Sequence, residues 1–176
     1  ISRAELRQLG LAETQKFRHV TSFFNGKSTQ PYPDEDQVDV PSRFDPATFG
    51  SHPEMEAYNV TDELLRRLED NPYAFIAVNY ANCDMVGHTG DMDAAIRAVE
   101  FVDKQLKKVV ESATQHKYNV VIIADHGNAD CMKQKDGSPH TAHTTAKVPV
   151  IILSNHQINK VNDGILADVS PTLLKL

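Results

Sequence analysis

The 176-residue chain holds only two cysteines, Cys83 and Cys131. Two thiols are too few for the disulfide framework of a small secreted domain, so a reduced, intracellular setting is the simpler expectation. No apolar run approaches the ~20 residues that a membrane-spanning helix needs. No basic-then-apolar leader of the secretory type opens the chain. Positive charge is also short: 18 Lys and Arg against 24 Asp and Glu leave a net charge of −6. That balance argues against a nucleic-acid backbone as partner, and it disfavours unassisted binding of an anionic substrate. Two bound divalent cations would reverse the sign of the field at a carboxylate-lined site.

What is present is the composition of a soluble globular domain, 40% hydrophobic and 24% charged, in a chain long enough to bury one core. It begins with Ile1 rather than Met and ends in Asp168-Val169-Ser170-Pro171-Thr172-Leu173. That ending reads as a helix with Ser170 as N-cap and Pro171 as its first residue, cut short. A piece of a longer polypeptide is the expectation from both ends.

Hydrophobic patterning predicts a short helix over Ala4 to Gly10 and a strand over His19 to Phe24, ended by Asn25-Gly26. Residues 27–59 hold five prolines and no sustained period, which reads as one long irregular loop. Val60 to Leu68 reads as a helix with Thr61 or Asp62 as N-cap and Pro72 closing the region. Three apolar runs, Ala74 to Tyr80, Asn119 to Ala124 and Val148 to Leu153, read as buried strands. Asp91 to Ala113 is the strongest helix, with Ala95, Val99, Val102, Leu106 and Val109 along one face. Strand, long helix and strand form a crossover unit. The expected class is therefore α/β, a mostly parallel sheet with helices on both faces.

The chemistry gathers at strand ends. Ile122-Ile123-Ala124 runs into Asp125-His126-Gly127, where a glycine lets the backbone turn and adjacent side chains converge. Asp84 and His88 follow the first apolar strand, and His140 and His143 precede the last. In an open parallel sheet, ligands bind beyond the carboxyl ends of the strands. Imidazole with carboxylate suits manganese, zinc or cobalt and is too nitrogen-rich for calcium. Enough ligands for two metals make two-metal phosphoryl chemistry reasonable. Singly, each residue has a plainer reading: a turn at Asp125-His126-Gly127, a helix cap at His88, a loop residue at His140.

Three segments, Asn82-Cys83-Asp84-Met85-Val86-Gly87-His88-Thr89-Gly90, Ala124-Asp125-His126-Gly127-Asn128-Ala129 and His140-Thr141-Ala142-His143-Thr144, closely resemble the cofactor-independent phosphoglycerate mutases of the alkaline-phosphatase superfamily. Glu13-Thr14-Gln15-Lys16-Phe17-Arg18-His19-Val20-Thr21, Phe23-Phe24-Asn25-Gly26 and Pro53-Glu54-Met55 match the same family in the same order, so the resemblance covers nearly the whole chain. It implies that Asp84, His88 and His143 hold one metal and that Asp125 and His126 hold a second. It implies that Lys16 sits beside the transferring phosphate and neutralises its charge. Without the motif, Lys16 would read as a solvated surface lysine. The implied cofactors are two divalent ions, manganese first, with cobalt, zinc or magnesium as alternatives. Cys83 departs from the family pattern, where bacterial relatives often carry proline, and is expected to be a small buried hydrophobe.

The resemblance implies interconversion of 3- and 2-phosphoglycerate in glycolysis and gluconeogenesis, through a phosphoserine. The implied enzyme is a cytoplasmic monomer with a small-molecule substrate and neither nucleic-acid nor membrane partners. In the family, the serine and one further aspartate ligand lie far upstream, and a separate arginine-rich domain is inserted before the present segment. No serine here stands in the matching context. Residues 1–176 are therefore expected to be the C-terminal part of the split metal-binding domain, inactive alone, with sheet edges and apolar surface left open. Two other readings compete: a metal-dependent phosphohydrolase or phosphopentomutase of the same superfamily, and a non-catalytic metal-binding module.

Overall fold

A computed structural model describes residues 1–70 and 73–176. In chain order the elements are β1 (Gln8–Glu13), α1 (Phe17–Val20), β2 (Glu35–Val40), α2 (Ala57–Asp70), β3 (Phe75–Asn79), α3 (Asn82–Gly87), α4 (Met92–Gln115), β4 (Val120–Ile123), β5 (Val150–Leu153) and α5 (Val169–Leu173). Three strands form a parallel sheet in the order β2–β1–β3, and β4 pairs with β5 in a separate antiparallel ribbon.

The parallel sheet has helices on both faces, as expected of the α/β class. Leu9 and Leu11, two residues apart in β1, point to one face. They bury against Val60, Leu64 and Leu68 of α2, with Val109 of α4 at the margin. Burying each such leucine is worth roughly 2 kcal/mol against exposure. On the opposite face the carbonyl of Val20 lies directly over Gly10, which places α1 there. A second cluster, Phe49, Met55, Ala81, Val86, Ala94 and Ala98, packs the loop before α2 against α3 and α4.

Several local expectations change. The region predicted as a helix over Ala4 to Gly10 is a single turn of 3-10 helix, Ser2–Ala4, followed by the central strand β1. Alternation of Leu9 and Leu11 over a buried face outweighs the helix propensity of the preceding residues. The predicted strand over His19 to Phe24 is instead α1 and a run of turns. Both edges of β1 are already taken by β2 and β3, and Phe23 and Phe24 stay exposed. The supposed loop 27–59 contains β2, an edge strand whose acidic residues suit a solvated edge. Helix α2 starts at Ala57, so Thr61 lies inside it, donating to the carbonyl of Ala57; the expected closing residue Pro72 lies outside the described residues. Helix α5 starts at Val169 with Asp168 at its N-cap, ahead of the expected Ser170.

Helix α4 matches its prediction closely, with Asp91 as N-cap accepting from Ala94 N at 2.9 Å. Its buried side is Ala94, Ala95, Ala98, Gln105 and Ala113, and Val99 of the predicted stripe is exposed. Among the described residues β3 and β4 do not pair, so the crossover from β3 through α4 does not close into one sheet. The β4–β5 ribbon, predicted as buried strands, leaves Ile123 41%, Val150 46%, Ile151 49% and Leu153 39% exposed. Among the described residues the ribbon has two strands only, and a two-stranded ribbon cannot bury both faces.

Candidate metal centre

β1 and β3 run parallel and in register, Ala12 beside Asn79, so both deliver their following residues to the same edge. After β1 the chain tightens into the 3-10 turn Thr14–Lys16, whose Lys16 is buried. After β3 it enters α3, which carries Asp84 in its first turn. The Lys16 ammonium donates to Asp84 Oδ2 in a close ion pair, with the side chains only 10% and 14% exposed. The turn is held from below by Glu13, the last residue of β1. Its carboxyl is buried and accepts from Ser42 Oγ at 2.8 Å and Glu56 N at 3.3 Å. Burial raises the Glu13 pKa, which the bond from Ser42 partly offsets.

The other oxygen of Asp84 faces imidazoles. His88 follows one turn later on the same helical side, with Nε2 at 3.2 Å from Asp84 Oδ1. Its Nδ1 lies 2.7 Å from the carbonyl of Thr141, a backbone acceptor that fixes the ring and turns Nε2 inward. His143 Nε2 is 3.1 Å from the same Oδ1 and 3.2 Å from His88 Nε2. His126 Nε2 is 3.9 Å from Oδ1, and its ring stacks on that of His143 with centroids 3.7 Å apart. Asp84, His126 and His143 each offer a donor atom within 4.8 Å of the others. His126 thus stands with Asp84 and His143 as well as beside its neighbour Asp125, whose Oδ1 is 3.6 Å from His126 Nε2. The Asp125 side chain is 56% exposed and is the open flank of the group. Among the described residues His140 makes no ion pair or ring contact with these side chains; its Nδ1 is buried without a partner.

The turn after β4 reaches this edge through close packing. Gly127 does not use a left-handed backbone, contrary to the expectation of a flexible turn. It is small because a Cβ there would fall 2.2 Å from Thr144 Oγ1 and 2.3 Å from Asp130 Oδ1. Thr144 N donates to the Gly127 carbonyl at 2.8 Å, and Thr144 Oγ1 to Asp130 Oδ2 at 2.9 Å. These bonds clasp the segment carrying His143 to the segment carrying His126. Asn128 Nδ2 donates to Asp84 Oδ1 at 2.9 Å.

Burial alone would raise the Asp84 pKa. The hydrogen bonds from Lys16 and Asn128, with the charge of Lys16, outweigh it and hold the carboxyl at about 2. Asp84 is therefore an anion with Oδ1 turned to three imidazole nitrogens. That is one hard oxygen and several borderline nitrogens, a donor set suited to manganese, cobalt or zinc. Burial pushes the Cys83 thiol up, reinforced by Asp84, so Cys83 stays a thiol and packs as a small hydrophobe. His19, outside the expected site, has its pKa lowered by burial and then by the charge of Lys16, with Asp125 and Asp84 opposing. It followed Lys16 in the matched segment, the one signal that marked it. The Thr141 carbonyl and the Asp130–Thr144 clasp had no such signal.

The whole chain, residues 1–176, matches the family described as the Metalloenzyme superfamily. It is 49% identical over 171 residues to the 2,3-bisphosphoglycerate-independent phosphoglycerate mutase of Bacteroides thetaiotaomicron, covering 97% of this chain and 34% of that protein. It is 52% identical over 171 residues to the enzyme of the same name from Salinibacter ruber, covering 97% of this chain and 32% of that protein. The chain thus spans about a third of the length of the curated relatives it matches. A crystal structure of the Leishmania mexicana phosphoglycerate mutase at low cobalt concentration superposes with a TM-score of 0.80 at 34% identity, over 89% of this chain and 31% of that one. With a matching family across its full length and carboxylate and imidazole donors converging at one sheet edge, the chain belongs to the metalloenzyme superfamily.

Proposed function

We propose that the intact protein is a cofactor-independent phosphoglycerate mutase, and that these 176 residues are the C-terminal part of its metal-binding domain. The observation that carries this reading is the two-sided setting of Asp84. Lys16 holds one oxygen and the imidazoles of His88, His126 and His143 surround the other. In this reading Asp84, His88 and His143 hold one divalent ion, and Asp125 and His126 hold a second. The ions are manganese by preference, with cobalt or zinc next and magnesium less well suited. Bound there, they supply a lowered proton affinity for a hydroxyl nucleophile and stabilisation of charge on phosphoryl oxygens.

The residues of this chain do the rest by position. Lys16, buried and cationic, neutralises phosphate charge at the edge shared with Asp84. The Thr141 carbonyl fixes the face that His88 presents. The clasp between Thr144 and Asp130 keeps His143 against His126. The serine nucleophile and the substrate-gripping arginines belong to parts of the polypeptide outside these residues, which also cover the apolar β4–β5 ribbon. The substrate is 3- or 2-phosphoglycerate, used in glycolysis and gluconeogenesis by a cytoplasmic, monomeric enzyme with neither nucleic-acid nor membrane partners. Among the described residues no helix is long and apolar enough to cross a membrane.

The test is an assay of the intact protein with 3-phosphoglycerate and Mn2+, without 2,3-bisphosphoglycerate. The expected result is 2-phosphoglycerate formation that stops on chelation, is absent in Asp84→Ala, and is absent from the 176-residue chain alone. Faster hydrolysis of simple phosphate esters than mutase turnover would favour the phosphohydrolase. Unchanged turnover in Asp125→Ala and His143→Ala would favour a non-catalytic metal module.

A further inference from the structure

Asn128 follows the Asp125-His126 pair by two residues and has no ligand role in the reading above. It is 5% exposed. Its Nδ2 donates to Asp84 Oδ1 at 2.9 Å and to the Asp84 backbone carbonyl at 3.2 Å. The other end of the amide, Oδ1, is buried with no hydrogen-bond partner. It lies against Gly87, where a Cβ would fall 2.5 Å away.

This arrangement is not what simple packing would select. A leucine has the same branching and would pack there without bringing an unpaired acceptor of its own, and an unpaired buried acceptor is costly. Nor can the amide turn over. With its ends exchanged, Oδ1 would face the Asp84 carboxylate and the Asp84 carbonyl, both acceptors. The donor end is therefore held on Asp84 by chemistry, and the glycine at position 87 makes the room for it.

We infer that Asn128 is a positioning residue for the metal ligand Asp84, an inference that rests on the metal assignment proposed above. Lys16 fixes Oδ2 of that carboxylate. Asn128 takes one of the two lone pairs of Oδ1 and leaves the other directed at His88, His126 and His143. The same side chain joins the turn after β4 to helix α3, so it sets the spacing between the Asp84 and Asp125 ligands. Hydrogen bonds of this kind, one step behind the ligands, typically change metal affinity 10- to 100-fold when removed.

The experiment uses the intact protein and Mn2+, with free Mn2+ read by its paramagnetic resonance signal. In wild type, the equivalent lost in His143→Ala identifies the Asp84 site. In Asn128→Leu that equivalent is expected to weaken 10- to 100-fold, with the other equivalent within threefold of wild type and the apo unfolding midpoint unchanged. Retention of both equivalents within threefold overturns the inference, and so does loss of both together, which marks Asn128 as a structural residue of the turn. A wild-type protein that binds no Mn2+ overturns the metal assignment itself. Should Asn128→Leu fail to fold, the side-chain amide resonance of Asn128 in wild type is followed on Zn2+ addition. A shift saturating with the Asp84 site supports the role, and an unmoved resonance contradicts it.

Discussion

His88 and His143 present their Nε2 atoms to each other at 3.2 Å, and the same oxygen of Asp84 lies 3.2 and 3.1 Å from them. His88 Nδ1 is directed at the Thr141 carbonyl, and in the tautomer that donates there Nε2 is an acceptor. Acceptors converging at this spacing repel unless a cation or a proton lies among them. Replacing His143 by alanine should therefore lower Mn2+ affinity at least 100-fold without lowering the apo unfolding midpoint. Titration of the metal and thermal unfolding in chelator check the two halves separately.

The Lys16 ammonium pairs with the Asp84 carboxylate in a mostly buried setting, so in the proposed site its charge opposes a metal at Asp84. Lys16→Met should reduce mutase turnover of the intact protein about 100- to 1,000-fold, the scale of losing one electrostatic stabiliser of the transition state. Mn2+ affinity should stay the same or rise. Steady-state kinetics beside a metal titration distinguishes this from general collapse of the site, which would lower both.

The depressed pKa of Asp84 makes the apo protein sensitive to acid. Its folded value is about 2 against an ordinary 3.8, burial being outweighed by the Lys16 and Asn128 bonds. A carboxyl with a depressed folded pKa stabilises fully above its unfolded value and loses that stabilisation as pH falls through the folded one. The contribution, on the order of 2 kcal/mol, should be present above about pH 4 and fade towards pH 2. Denaturant unfolding of wild type and Asp84→Asn in chelator should show their difference shrinking over that window.

The exposed β4–β5 ribbon separates the isolated chain from the intact protein. Ile151 is 49% exposed in this chain. Ile151→Lys should change the stability of the 176-residue chain by less than about 0.5 kcal/mol. In the intact protein, where the ribbon is proposed to be covered, the same change should cost about 2 kcal/mol or more. Equal small effects in both would contradict the covering.

The long helix α4 and the strands β3, β4 and β5 are legible because each is a sustained apolar pattern with clear ends; α4 begins one residue after the expected Asp91, which is its N-cap. β1 and α1 are not. Leu9 and Leu11 gain their strand character from α2, which lies far along the chain, and His19 to Phe24 has β-forming residues but no free edge to join. The site divides the same way. Asp84 with His88 is a helical i, i+4 pair, and Asp125-His126 closes an apolar strand, so both leave local marks. The Thr141 carbonyl and the Asn128 amide act through space across 53 and 44 residues, and nothing beside them in sequence names their partners. Gly127 after Asp125-His126 signals a turn in the sequence, and its role in the fold is instead to admit Thr144 and Asp130.

In the proposed function Asp84 organises a metal site with His88 and His143. The most direct test of that role is a calorimetric Mn2+ titration of the 176-residue chain and its Asp84→Ala and Asp125→Ala variants. One saturable equivalent is expected in wild type, lost in Asp84→Ala and retained in Asp125→Ala. No saturable equivalent in the folded wild-type chain, or an equivalent that survives Asp84→Ala, would contradict it.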